Sequence, residues 1–163
     1  MRFILTFAFL QFLLVSCNRN TFYIVRHAEK AAAAPNMSSD VPLSETGEQR
    51  AIALKNVLAK EKIISIFSTQ TIRTTSTAKP LAELKGITVQ LYSPRDTVDR
   101  FISRLKSIKK GSVLIVGHSN TVDDLVNKMM GQNLLTDLPE TEFDNLFIVK
   151  RKGKKYLFER KKY

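Results

Sequence analysis

The sequence predicts one three-layer α/β/α domain with a mainly parallel sheet, and three observations predict it. Short apolar runs rich in β-branched residues alternate with segments whose apolar positions recur every three to four residues. Once a processed leader is set aside, the 163-residue chain leaves about 145 residues, enough for one core and not two. Three chemically pointed segments, Arg26-His27, the turn before Arg73, and Gly117-His118, directly follow apolar runs. In a parallel α/β sheet, ligands bind beyond the carboxyl ends of the strands.

Taken in order, Thr21-Phe22-Tyr23-Ile24-Val25 is a buried strand that ends at Arg26. The stretch 31–42, with Pro35, Asn36, Ser38, Ser39, Asp40 and Pro42, is loop chemistry. Leu43-Ser44-Glu45-Thr46-Gly47 leads into a helix through Lys60, with Ala51, Leu54, Val57 and Leu58 on one face. A second strand at 63–67 precedes a helix at 73–85 that Gly86 closes. A strand at 87–91 gives way to a helix with Val98, Phe101, Ile102 and Leu105 in helical register. Val113-Leu114-Ile115-Val116 is the most strand-like run; a helix at 121–130 follows it, and two apolar segments around Lys152-Gly153-Lys154 close the chain as a hairpin.

The first residues have a separate character. Met1-Arg2, an apolar run over 3–15, and Ser16-Cys17 have the layout of an export signal. Thirteen helical residues rise roughly 20 Å, short of the ~30 Å hydrocarbon core, so a permanent span is disfavoured. Leu14-Val15-Ser16-Cys17 resembles the bacterial lipobox, whose cysteine is acylated and becomes the mature N-terminus. That reading makes 1–17 a lipoprotein-type signal peptide and 21–163 the folded domain, with Cys17 as the lipidated residue of an exported, membrane-anchored envelope protein. It also accounts for a single cysteine, since the mature domain is then left without an unpaired thiol. The alternative is a small apolar residue that merely ends a simple secretory signal or a buried helix.

The net charge is +11, and eight of the thirteen residues at 150–162 are Lys or Arg. Such a field favours anionic substrates, membranes or nucleic acid without choosing among them. No helix-turn-helix, zinc or ribonucleoprotein pattern accompanies it, and the tail's tyrosine and phenylalanines suit strand packing, so no nucleic acid is expected.

Both histidines of the chain, His27 and His118, sit just past apolar strands. An imidazole can attack phosphorus to form a phosphohistidine that water later hydrolyses, splitting one hard displacement into two. The transferred group stays anionic and needs fixed positive donors. Arginine supplies a charged planar fork for pairs of phosphate oxygens. Arg26 and Arg73 are candidates for that role, and His118, if protonated, supplies a third positive donor.

Arg26-His27-Ala28-Glu29 resembles the Arg-His-Gly/Ala-Glu signature of the histidine phosphatase (phosphoglycerate mutase-like) superfamily. In the same order, the segment from Leu43 to Ala51 is similar to the family's Leu-Thr-x-x-Gly-x-x-Gln-Ala helix start. Ser68-Thr69-Gln70-Thr71-Ile72-Arg73-Thr74-Thr75-Ser76-Thr77-Ala78 is similar to its arginine-bearing element, and Gly117-His118-Ser119-Asn120 to its last. The resemblance covers roughly 22–130. It implies a phosphoglycerate mutase-like fold, His27 as the phosphorylated nucleophile, a phosphate pocket of Arg26, Arg73 and His118, and no metal or other cofactor. Substrates are then phosphorylated small molecules or phosphoproteins, as phosphomonoesters or phosphoramidates.

The acid for the leaving group is left open among Asp96, Asp99, Glu83 or none. Asp96, in the loop after Tyr92-Ser93-Pro94-Arg95, is preferred because a strand-end loop can reach the site, although it also suits a helix N-cap. Glu29 reads as an ion-pair partner that orients Arg26 or a neighbouring helix. The short chain offers no large insertion to close over a retained intermediate, which disfavours a mutase. The rival is a phosphate-binding lipoprotein module with weak or no turnover.

Overall fold

The structure, a computed structural model, describes residues 19–32, 40–93 and 98–163. The apolar leader, Cys17, Asp96 and most of the loop expected at 31–42 lie outside the described residues. Six strands form one sheet in the order β3-β2-β4-β1-β5-β6. These are β1 (Arg19–Arg26), β2 (Ile63–Ser68), β3 (Val89–Leu91), β4 (Gly111–Gly117), β5 (Asn145–Lys152) and β6 (Lys155–Lys162). The first four run parallel, and β5 and β6 add an antiparallel hairpin at the edge.

Alternation of side chains along the central strands divides the core in two. Phe22, Ile24, Val113, Ile115, Phe147 and Val149 point to one face, where they meet α3 (Val98–Ser107) and α4 (Ser119–Met130). Tyr23, Val25, Leu114, Val116, Leu146 and Ile148 point to the other, covered by α1 (Glu45–Leu58) and α2 (Ile72–Lys85). The expected three layers are therefore present, and β1 and β4 are buried on both sides, which is why they read as unbroken apolar runs.

Element boundaries depart from the sequence reading by two residues, for local reasons. Ile87 belongs to the cap of α2 rather than to β3: its N–H bonds the Ala82 carbonyl at 3.0 Å, and Gly86 turns with φ 61°. Helix α4 starts at Ser119 instead of 121 because the His118 N–H bonds Thr121 Oγ1 at 2.9 Å, capping the helix at the histidine. Among the described residues, no helix is long and apolar enough to cross a membrane.

Candidate active site

The β1–β4 register fixes the centre of the site. Arg26 lies opposite Gly117, and pairing continues one step further as the His27 N–H bonds the Gly117 carbonyl at 2.9 Å. The two residues that leave these strands are the histidines, and their rings stand edge to face with centroids 5.4 Å apart. Around them lies an open cavity of about 460 Å³, whose walls include Arg26, Arg73, Lys30 and Asn120. The N-termini of α2 and α4 both deliver residues to it, Arg73 and Ser119, so helix dipoles add to its positive character.

Each imidazole has a defined hydrogen-bond assignment. His27 Nδ1 lies 2.7 Å from the Ala28 carbonyl, an acceptor only, so Nδ1 carries the proton and Nε2 keeps its lone pair. For His118, Thr74 Oγ1 donates to the carbonyls of Thr69 and Thr71, and Thr69 Oγ1 donates to Thr74 Oγ1. Thr69 Oγ1 must then accept from His118 Nε2, 3.0 Å away, which leaves His118 Nδ1 as the acceptor facing Arg73 Nη2 at 3.5 Å. Both threonines are buried. Burial, reinforced by Arg73, Arg26 and His118 and partly offset by the Ala28 carbonyl, pushes His27 down to about 4. Burial and the same two arginines, partly offset by Asp40, push His118 down to about 4 as well. His118 is thus neutral near pH 7, and an arriving phosphate dianion is what would favour its protonation.

The supporting contacts are local and dense. Thr77 Oγ1 accepts from the Ala28 N–H at 2.9 Å and donates to the Arg73 carbonyl at 2.7 Å, joining the β1 loop to α2. Glu29 forms a fork with Arg50 of α1, with contacts of 2.6–2.8 Å, so it braces a helix and does not reach Arg26. Asp40 accepts from the Ile72 N–H at 2.9 Å and lies 3.5 Å from Arg73 Nη1, holding the start of α2 and its arginine together.

Sequence reasoning missed the segment between α4 and β5. Arg26 Nη1 donates to the carbonyl of Pro139 at 2.8 Å, and Nη2 to Glu140 Oε2 at 3.0 Å. Phe143 lies under the Arg26 guanidinium at 4.2 Å and beside the His27 ring at 5.9 Å. Arg26 Nε is buried with no partner among the described residues. Asp137 and Glu140 are the carboxylates on the cavity wall. The structure does not bring the other described acid candidates there: Asp99 is exposed and pairs with Lys128 of α4, and Glu83 pairs with Lys79 beside a separate cavity. No motif signals the 131–144 segment; only the return of the chain from α4 to β5 carries it over Arg26.

Two arginines and two imidazoles gather at the carboxyl ends of parallel strands, beneath two helix N-termini, an arrangement suited to an anion. Residues 22–94 match the model of the Histidine phosphatase superfamily (branch 1), a span that holds three of the four motifs and ends before Gly117-His118. Among solved structures, the protein histidine phosphatase SixA, complexed with tungstate, superposes with a TM-score of 0.71 at 19% identity, over 87% of this chain and 96% of that one. A SixA from Agrobacterium tumefaciens, provisionally described as a phosphohistidine phosphatase, gives 0.62 at 22% identity, over 84% and 97%. A mycobacterial glucosyl-3-phosphoglycerate phosphatase gives 0.65 at 15% identity, over 89% and 98%. At these identities the likeness establishes a shared phosphoglycerate mutase-like fold. No curated protein sequence matches the chain.

Proposed function

We propose that the protein is a phosphatase that works through a phosphohistidine on His27. The observation that carries this reading is the commitment of His27 Nδ1 to the Ala28 carbonyl, which leaves a neutral Nε2 lone pair in a pocket of positive donors. Nε2 attacks phosphorus while the bond to the leaving group breaks and its electrons depart with that group. Water then attacks the phosphohistidine, inorganic phosphate leaves, and His27 returns to its starting form. Arg73, Arg26 and a His118 whose protonation the arriving dianion favours meet the charge on the equatorial oxygens. In this scheme side chains supply that charge, so a chelator is expected to leave turnover unchanged.

The substrate is a phosphomonoester or a phosphoramidate. Glu140 on the wall is held by Arg26, and Asp96 remains the proposed donor to an ester leaving group. A phosphoramidate whose nitrogen is already protonated needs less help, and the phosphohistidine named for the SixA neighbours is such a substrate. The segment 1–17 adds the proposal of an exported protein tethered to the membrane through acylated Cys17, with 21–163 as the catalytic domain.

The experiment is phosphate release from para-nitrophenyl phosphate and from a panel of phosphoesters and phosphoramidates, with chelator present. Turnover that disappears in His27→Ala supports the enzyme. A drop with esters alone in Asp96→Asn supports that residue as the acid. Equal background rates in wild type and His27→Ala would make the domain a phosphate-binding module instead.

A further inference from the structure

We infer that the end of the sheet opposite the histidine pocket is a docking face for an anionic membrane surface. The strand register assembles it. Arg19, the first residue of β1, lies opposite Lys152 of β5, which in turn faces Lys155 of β6 across the Gly153-Lys154 turn. Asn20 lies opposite Gly111, so Lys109 and Lys110, which lead into β4, arrive at the same end, and Lys62 arrives there just ahead of β2. These six lysines come from three separate loops and are all exposed. Among the described residues, none of them pairs with a carboxylate. Glu61, the acidic residue beside Lys62, instead bonds the Tyr23 hydroxyl.

The inference draws on the proposed tether at Cys17. Cys17 stands two residues before Arg19, and an extended chain spans at most ~3.6 Å per residue, so an acylated Cys17 holds this end within about 7 Å of the headgroups. That distance is inside the ~8 Å Debye length at physiological salt, where each lysine contributes about fivefold to binding an anionic surface. Nucleic acid fits less well. Tyr156 and Phe158 of the hairpin pack against the core, leaving no ring there for a base to stack on. The histidines lie at the far end of β1, roughly 23 Å away at 3.3 Å per residue, so the pocket opens away from the bilayer.

The test is binding of the full chain to vesicles of phosphatidylcholine alone and of phosphatidylcholine mixed with phosphatidylglycerol, at about 0.1 M salt. The expected result is at least tenfold tighter binding to the mixed vesicles. Replacing Lys109, Lys110, Lys154 and Lys155 with Gln should cut that gain at least tenfold, while replacing Lys79, Lys128, Lys161 and Lys162 with Gln should leave it. Binding to neutral vesicles reports the apolar segment and tether, so loss of that arm alone would sink the tether and spare the docking face. No gain on anionic vesicles, or a gain indifferent to the first four lysines, overturns the inference. Duplex DNA binding that depends on those lysines, without a vesicle gain, would reassign the face to nucleic acid.

Discussion

Two imidazoles 5.4 Å apart are assigned opposite tautomers by their neighbours, and the difference sets what each can do. The Ala28 carbonyl leaves Nε2 of His27 bare, whereas Thr69 takes the Nε2 proton of His118 and turns Nδ1 toward Arg73. Thr69→Val removes that acceptor and strands a buried N–H, so kcat should fall about tenfold, equivalent to ~1.4 kcal/mol of barrier. Thr69→Ser should restore the rate, and nitrogen NMR of His118 should report mixed tautomers only in the valine variant. The lowered histidine pKa values set the pH dependence. The free enzyme keeps His27 neutral down to about 4, so the acid limb of kcat/KM should lie near that pH instead of near 6.5. An unfolded chain takes up protons on both histidines from about pH 6.5 downward, while the folded one resists until about 4. Stability should therefore decline as pH falls through that window, and substituting both histidines by Gln should flatten that part of the denaturation profile.

The segment between α4 and β5 acts on the pocket through Arg26, because Glu140 places a carboxylate where a substrate oxygen would compete. Glu140 is 77% exposed, which limits such a pair to at most about 1 kcal/mol. Glu140→Gln should accordingly tighten competitive inhibition by inorganic phosphate about two- to fivefold; unchanged or weaker inhibition would mean that the carboxylate helps bind. Helix α1 acts on the site through its contacts with the loop after His27. A Cβ on Gly47 would run into the Glu29 carbonyl oxygen, so Gly47→Ala should cost about 1–3 kcal/mol in chemical denaturation and displace the loop after His27. These contacts also mark what was legible in advance. Strand runs such as 113–116, the helical period of Val98, Phe101, Ile102 and Leu105, and the placement of both histidines at strand ends follow from local pattern. The roles of Pro139, Glu140 and Phe143 do not, since they come from irregular backbone more than a hundred residues from Arg26. Asp40 and Thr69 escaped for a related reason: a loop aspartate and a threonine after a strand are ordinary locally, and only the approach of α2 and β4 makes them neighbours of Arg73 and His118.

At the scale of the whole molecule, the sheet separates two tasks. Parallel strands β1, β2 and β4 bring their carboxyl ends to the anion pocket, while their amino ends gather lysines where the chain enters from the apolar leader. A protein tethered this way should hydrolyse soluble phosphorylated substrates in preference to phosphorylated headgroups of its own membrane, measurable as competing rates on proteoliposomes. All of this depends on whether His27 takes up phosphate during turnover. The most direct measurement is rapid alkaline quenching of the protein during turnover, with peptide mapping by mass spectrometry. The account predicts one phosphoryl group on the peptide containing His27, stable in alkali, lost in acid, and absent in His27→Ala. Turnover with no such adduct, or an adduct on any other residue, would contradict it.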